Sequence, residues 1–338
     1  MSIPSSARVR ARTTLAVLAG AALALTACSG GADSTGDTDA PSAAADGGGE
    51  WPRTIEHAAG ETEIPAEPTT IVSTSITLTG TLLAIGAPVV ASAATGTGPL
   101  TDDNGFFAQW SDVAAEQGVE VLYPNLELDL EAVDALAPDL IIGSSIGQDA
   151  TVDAYDQLSE IAPTVMLDYG SESWEDLATV LGEATGLEDD AAAAVEEFDE
   201  HVAAAANEIT LPDQPVTALT YNGAEGGGIF SATSSQAGIL TGLGFEYVAG
   251  PEDLAAETRS DVSFFTAENL PTALKEPQVA FIVSGGDETA EALLADPLLA
   301  NTPAVGSGSV VPLGPTSFRI DYYSGMQVVD AVVAEYGQ

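Results

Sequence analysis

Residues 187–209, LEDDAAAAVEEFDEHVAAAANEI, hold no glycine or proline and are rich in Ala, Glu and Val. Their helix propensity is therefore high. Val195, Phe198, Val202, Ala205 and Ile209 recur at spacings of three and four, which draws one apolar stripe along a helix. Glu188, Asp189 and Asp190 fill the first turn, where negative charge favours the helix dipole. Gly186 stands before the run and Pro212 after it. At 1.5 Å per residue the rod spans roughly 35 Å, long enough to join two cores and hold their separation nearly fixed.

The sequence on either side supports two cores. Before the rod, 71–75 (IVSTS) reads as a buried strand running into a Ser/Thr turn, a helix to Gly86 and a strand at 88–91. This is the βα unit of a parallel sheet, and its turn, with Ser75, lies where such sheets bind ligands. A loop, TGTGPLTDDNGFFAQW, follows; its Phe106, Phe107 and Trp110 suit either a cleft wall or a core. Helices are expected at 130–136, 152–162 and from the Ser173 cap, with strands at 139–143 and 164–168. After the rod, 216–221 is a strand and NGAEGGG a turn leading to 229–231. Helices are expected near 236–243 and over 264–274, strands at 279–283 and 309–313, then an irregular SFRIDYYSG turn and a helix at 326–336. The expected fold is α/β, with two Rossmann-like lobes joined by one long α-helix: a lobe over 51–186, the linking helix over 187–211 and a lobe over 212–338.

Residues 1–27 read as a secretory signal, with Arg8, Arg10 and Arg12 before the apolar run LAVLAGAALAL. LTAC at 25–28 resembles a bacterial lipobox, so Cys28 is the expected lipidation site. Residues 28–50 are small, acidic and flexible in composition, a tether between anchor and fold. The chain is then expected outside the cytoplasm, on the outer face of the cytoplasmic membrane.

Charge excludes further classes. Four cations, Arg53, Arg259, Lys275 and Arg319, stand against all 52 Asp and Glu after residue 27. Nucleic acid binding is excluded for want of a basic patch. One cysteine and two distant histidines, His57 and His201, give no metal-ligand spacing and no nucleophile–His–acid pattern, so neither a metal site nor catalytic residues are expected.

Trp51-Pro52-Arg53, the run at 71–92, DDNGF (102–106), YDQLSEIAPT (155–164), LPDQPVTAL (211–219) and FRIDYYSGMQVVDAV (318–332) together resemble class III substrate-binding proteins of ABC importers. That group has a helical backbone between its lobes and serves siderophores, haem and cobalamin. The resemblance implies no cofactor and no enzyme, but a monomeric binding protein that delivers a ferric siderophore, a catecholate such as enterobactin or a related type, to a membrane permease. Haem or cobalamin of the same fold and, more remotely, a lipid-anchored hydrolase are the alternatives. Phe318 and Arg319 fall where the family sets an aromatic and an arginine against the ferric complex, and Arg259 matches a second basic position. Pro99 or Leu100 stands where the family has an arginine, and Phe230 where it has a tryptophan. Ser75, Asn104, Tyr221 and Tyr322 complete the candidate ligand set. An ion pair with Asp321 is the other reading of Arg319. Glu131 and Glu268, each near a helix start, match the carboxylates with which the family docks on its permease.

Overall fold

The computed structural model describes residues 51–338, and the signal, the tether and Cys28 lie outside them. An antiparallel hairpin, β1 (Arg53–His57) and β2 (Gly60–Ile64), opens the described chain. Ile55, Thr62 and Ile64 of this hairpin, which is not among the strands expected from sequence, alternate to one buried face. The first lobe continues β3 (Ile71–Ser73), α1 (Ile76–Ala84), β4 (Val89–Ser92), α2 (Ser111–Gln117) and β5 (Glu120–Val121). It closes with α3 (Leu130–Ala135), β6 (Leu140–Ser144), α4 (Tyr155–Ile161), β7 (Thr164–Leu167) and α5 (Trp174–Thr185). Its five-stranded sheet is parallel throughout, in the order β5-β4-β3-β6-β7. The order reverses beside β3, so the crevice at the carboxyl ends of β3, β6 and β7 faces outward at a switch point.

The rod is α6 (Glu188–Glu208). Phe198, Val202 and Ala205 are buried along the expected stripe, with Ile209 just past the last turn. Beyond it come β8 (Val216–Tyr221), β9 (Gly227–Phe230), α7 (Ser235–Gly242), β10 (Glu257–Thr258), β11 (Val262–Phe265) and α8 (Leu270–Ala273). Then follow β12 (Val279–Ile282), α9 (Asp287–Leu294), α10 (Pro303–Ser307), β13 (Val310–Pro312) and α11 (Tyr322–Tyr336). The six-stranded sheet runs β10-β11-β9-β8-β12-β13 and is mixed: β8, β12 and β13 are parallel, while β9, β11 and β10 each oppose their neighbour.

The expected helix over 264–274 is therefore a correction. Phe264 and Phe265 belong to a strand, opposite Gly228 and Gly227, and the helix is confined to Leu270–Ala273. Aromatic residues favour a pleated surface, and the bare Gly228 leaves room for the Phe264 ring, which a Cβ would approach to 3.0 Å. The final helix also starts earlier than expected. Asp321 accepts from the Ser324 backbone N–H, and the Ser324 hydroxyl accepts from the Asp321 N–H, a reciprocal cap that carries the helix back to Tyr322.

The pleat sorts the core. Leu140 and Ile142 of β6, with Val279 and Phe281 of β12, join one core that reaches both sheets and includes Phe198 of α6 and Val328, Val329 and Val332 of α11. Ile141, with Val72 and Met166, lies in a second core, and Ala280 and Ile282 in a third. Phe198 sits at the junction. Its ring meets Trp174 edge-on at 5.1 Å and lies over Gly325 of α11, where a Cβ would come within 2.7 Å of it. Truncating it removes the contact shared by α5, α6 and α11. Phe198→Ala should lower unfolding stability by about 3–5 kcal/mol, read as a shifted midpoint in urea.

Candidate functional site

A cleft of about 540 Å³ opens between the two sheets, within the size range of small-molecule sites. One wall comes from the first lobe: Thr77 of α1, Phe107, Gln109 and the segment 169–177. The other comes from the start of α7 at 233–236, Ser260, Asp261 and the loop 318–321 that follows β13. Phe198, Asp199 and Val202 of α6 line its base.

Arg319 is the central group. Its guanidinium carbon lies 5.0 Å from the Tyr169 ring centroid and 5.1 Å from that of Phe318, both within cation–π range. Among the described residues it is the one Lys or Arg with no carboxylate within 4.0 Å; Arg53 pairs with Glu188, Arg259 with Glu257 and Lys275 with Glu276. An ion pair with Asp321 is not formed. The Asp321 carboxylate instead caps α11 and accepts from Gln109 Nε2 at 3.2 Å. Gly80 of α1 permits that approach, since a Cβ there would fall 2.6 Å from Asp321 Oδ2. Burial pushes the Asp321 carboxyl above the usual range, with the bonds from Ser324 and Gln109 opposing.

Tyr169 is held from behind. Its hydroxyl donates to Oδ1 of Asp149 at 2.7 Å, while Oδ2 accepts from the Ser75 hydroxyl at 2.5 Å and the Thr77 N–H at 3.1 Å. Asp149 is 4% exposed and sits after β6, and Tyr169 follows β7, both at carboxyl ends of parallel strands. Gly147, at φ +83°, completes the turn, because a Cβ there would collide with the Tyr169 hydroxyl. Burial first, then the Asp149 charge and hydrogen bond, raise the Tyr169 phenol; Arg319 pulls the other way. Two further bonds cross between the walls: Gln109 to Asp321, and the Ser260 hydroxyl to the Gly170 carbonyl at 3.0 Å.

The structure sorts the sequence candidates. Phe318 and Arg319 line the cleft together. Phe230 is 1% exposed and stands behind Phe318, ring to ring at 6.1 Å. Arg259 is beside the lining residues Ser260 and Asp261, but its own side chain is exposed, bonded to Glu257 and stacked on Phe264. Ser75 is fully buried, capping α1 and bonding Asp149. Asn104 turns back on Asp102, and Tyr322 packs against Trp174 and Tyr323. Tyr221 bonds Asp296 at 2.7 Å, and burial together with that bond pushes its phenol up to about 12. It lies at the opposite end of the β8–β9 hairpin from Phe230, because β9 runs back along β8. Phe107 lines the cleft, while Phe106 and Trp110 are core. Tyr169, Gln109, Gln236 and Asp149 carry no sequence motif; only their place after a βα turn could have drawn attention to them. His57 bonds Thr62 and His201 pairs with Asp330, and neither lines the cleft.

Two α/β lobes, one with a parallel and one with a mixed sheet, a long helix behind them and a cleft between define a binding-protein architecture, and residues 71–316 match the periplasmic binding protein family. The chain belongs to that family. It is 44% identical to the ferric enterobactin-binding periplasmic protein FepB of Escherichia coli O6:H1, over 84% of this chain and 91% of that one. The probable siderophore-binding lipoprotein YfiY of Bacillus subtilis is 29% identical over 65% of each chain. The crystal structure of holo-ViuP superposes with a TM-score of 0.79 at 34% identity, covering 86% of this chain and 97% of that one.

Asp149→Ala would strand the Ser75 and Tyr169 hydroxyls and the Thr77 N–H. At about 1–3 kcal/mol for each buried donor left unmet, the variant should lose about 3 kcal/mol or more in a urea titration. Asp149→Asn, which keeps an acceptor, should lose distinctly less.

Proposed function

We propose that this protein captures a ferric siderophore outside the cytoplasm and hands it to the permease of an ABC importer, without chemistry of its own. The observation that carries the reading is Arg319, which pairs with no carboxylate among the described residues and is flanked by the Tyr169 and Phe318 rings at the cleft. A guanidinium fork suits the metal-bound oxygens of a ferric chelate, and flat ring faces suit its aromatic or amide arms. The named ligands of FepB and YfiY are siderophores, which supports the same class here. The lobe boundaries at residues 186 and 212 belong to this reading, as do a single-chain working state and a small change of lobe spacing about the continuous α6.

The anchor is proposed at Cys28, with 28–50 as tether, and the lipoprotein relative YfiY supports it. Docking is proposed through Glu131 and Glu268. Both are exposed: Glu131 stands in the first turn of α3, which Asp129 caps, and Glu268 in the turn before α8. Glu131→Ala and Glu268→Ala together should abolish transport in reconstituted vesicles while binding affinity stays at the wild-type value. Weakened binding would instead place these residues in the fold or the cleft.

Quenching of tryptophan fluorescence by ferric siderophores, haemin and cobalamin tests the ligand class, since Trp174 borders the cleft. A ferric siderophore should bind below ~10 µM (about −7 kcal/mol), and tight binding of haemin or cobalamin alone would overturn the reading. Arg319→Ala should weaken siderophore binding tenfold or more, ~1.4 kcal/mol.

A further inference from the structure

The charges around the cleft narrow the ligand further, an inference that rests on the function just proposed. Among the described residues five carboxylates line the cleft, Glu172, Glu175, Asp199, Asp261 and Asp321, beside the single cation Arg319. Asp321 spends its acceptor capacity on the α11 cap and Gln109. Among the described residues, that leaves four carboxylates without a cation within 4.0 Å against one guanidinium. The local field has the same sign. Burial raises the Glu172 carboxyl, and the nearby charges of Asp176 and Asp168 raise it further. Glu175 is raised likewise, by burial first and then by Asp199 and Asp176. The rest of the lining is neutral: ring faces, hydroxyls and amides.

We infer that the cleft selects ferric complexes carrying at most one negative charge over trianionic ones. A tris-catecholate of Fe(III), as in ferric enterobactin, carries three negative charges. Arg319 can balance one of them. The other two would enter a partly desolvated site already lined with carboxylates, where like charges repel more strongly than in water. A neutral tris-hydroxamate, or one bearing a free ammonium, meets no such repulsion. It still offers metal-bound oxygens to the guanidinium and amide arms to Gln109 and the hydroxyls. An ammonium arm would also gain the carboxylates as partners.

The test uses the full chain and three probes of fixed charge: ferric enterobactin, neutral ferrichrome and cationic ferrioxamine B. Each is titrated by fluorescence quenching at low salt and at high salt, where exposed charges are screened. The neutral or the cationic complex should bind at least tenfold tighter than the trianion at low salt. Added salt should strengthen the trianion and weaken the cation. Glu172→Gln with Asp261→Asn should raise affinity for the trianion more than for the neutral complex. A trianion that binds as tightly as the others at low salt, or that salt weakens, overturns the charge selection and leaves siderophore capture standing. Failure of all three complexes, with haemin or cobalamin bound, overturns both.

Discussion

The ring of Phe198 over the bare backbone of Gly325 is the contact on which the rest of this molecule depends. It lets α6 and α11 lie close enough to share one core with α5, and that core reaches the inner faces of both sheets. Because α6 is continuous, the two sheets are held at a distance that leaves a cleft instead of closing into one packed interior. Phe198 and Val202 serve both purposes, as core on one side and as cleft base on the other. The candidate site is thus the region where the shared core stops.

The two lobes furnish their walls differently. The first uses a parallel sheet in the ordinary manner, placing Thr77, Asp149 and Tyr169 at carboxyl ends beside the switch point. The second lobe turns back on itself through the glycine-rich β9, so its main contributions come from the start of α7 and from the loop after β13, with Ser260 and Asp261 beside them. Gln236 fastens the two together, its amide donating to the carbonyls of Ser317 and Phe318. A rigid loop follows from that pair of bonds. Phe318 and Arg319 are presented from backbone fixed at the preceding residues.

Much of this was legible in the residues. Helix α6, the strands after Pro138 and Pro277, and the Arg319 segment all follow from periodicity, proline punctuation or resemblance. What escaped was decided by partners distant in sequence. Phe264 and Phe265 read as helix until the glycine strand they pair with is in view. The β1–β2 hairpin is short, and its place is fixed by Arg53, which bonds the Glu183 carbonyl and pairs with Glu188. Ser75 does stand at a strand's carboxyl end, but its hydroxyl is spent inward on Asp149, and it is Tyr169, on the far side of that carboxylate, that meets the cleft. Tyr221 illustrates the opposite limit: the residues near the glycine turn look alike in sequence, and only the antiparallel return of β9 sets Phe230 and Tyr221 at opposite ends of the hairpin.

Arg319 belongs to the second lobe and the ring it rests on, Tyr169, to the first. The same side chain is therefore both a tie between the walls and, in the proposed function, the group offered to the ligand. Any chelate that draws the guanidinium toward itself does so in competition with the opposite wall. Occupancy and wall-to-wall spacing are in this way two readings of one side chain's position, and neither can change without the other registering it.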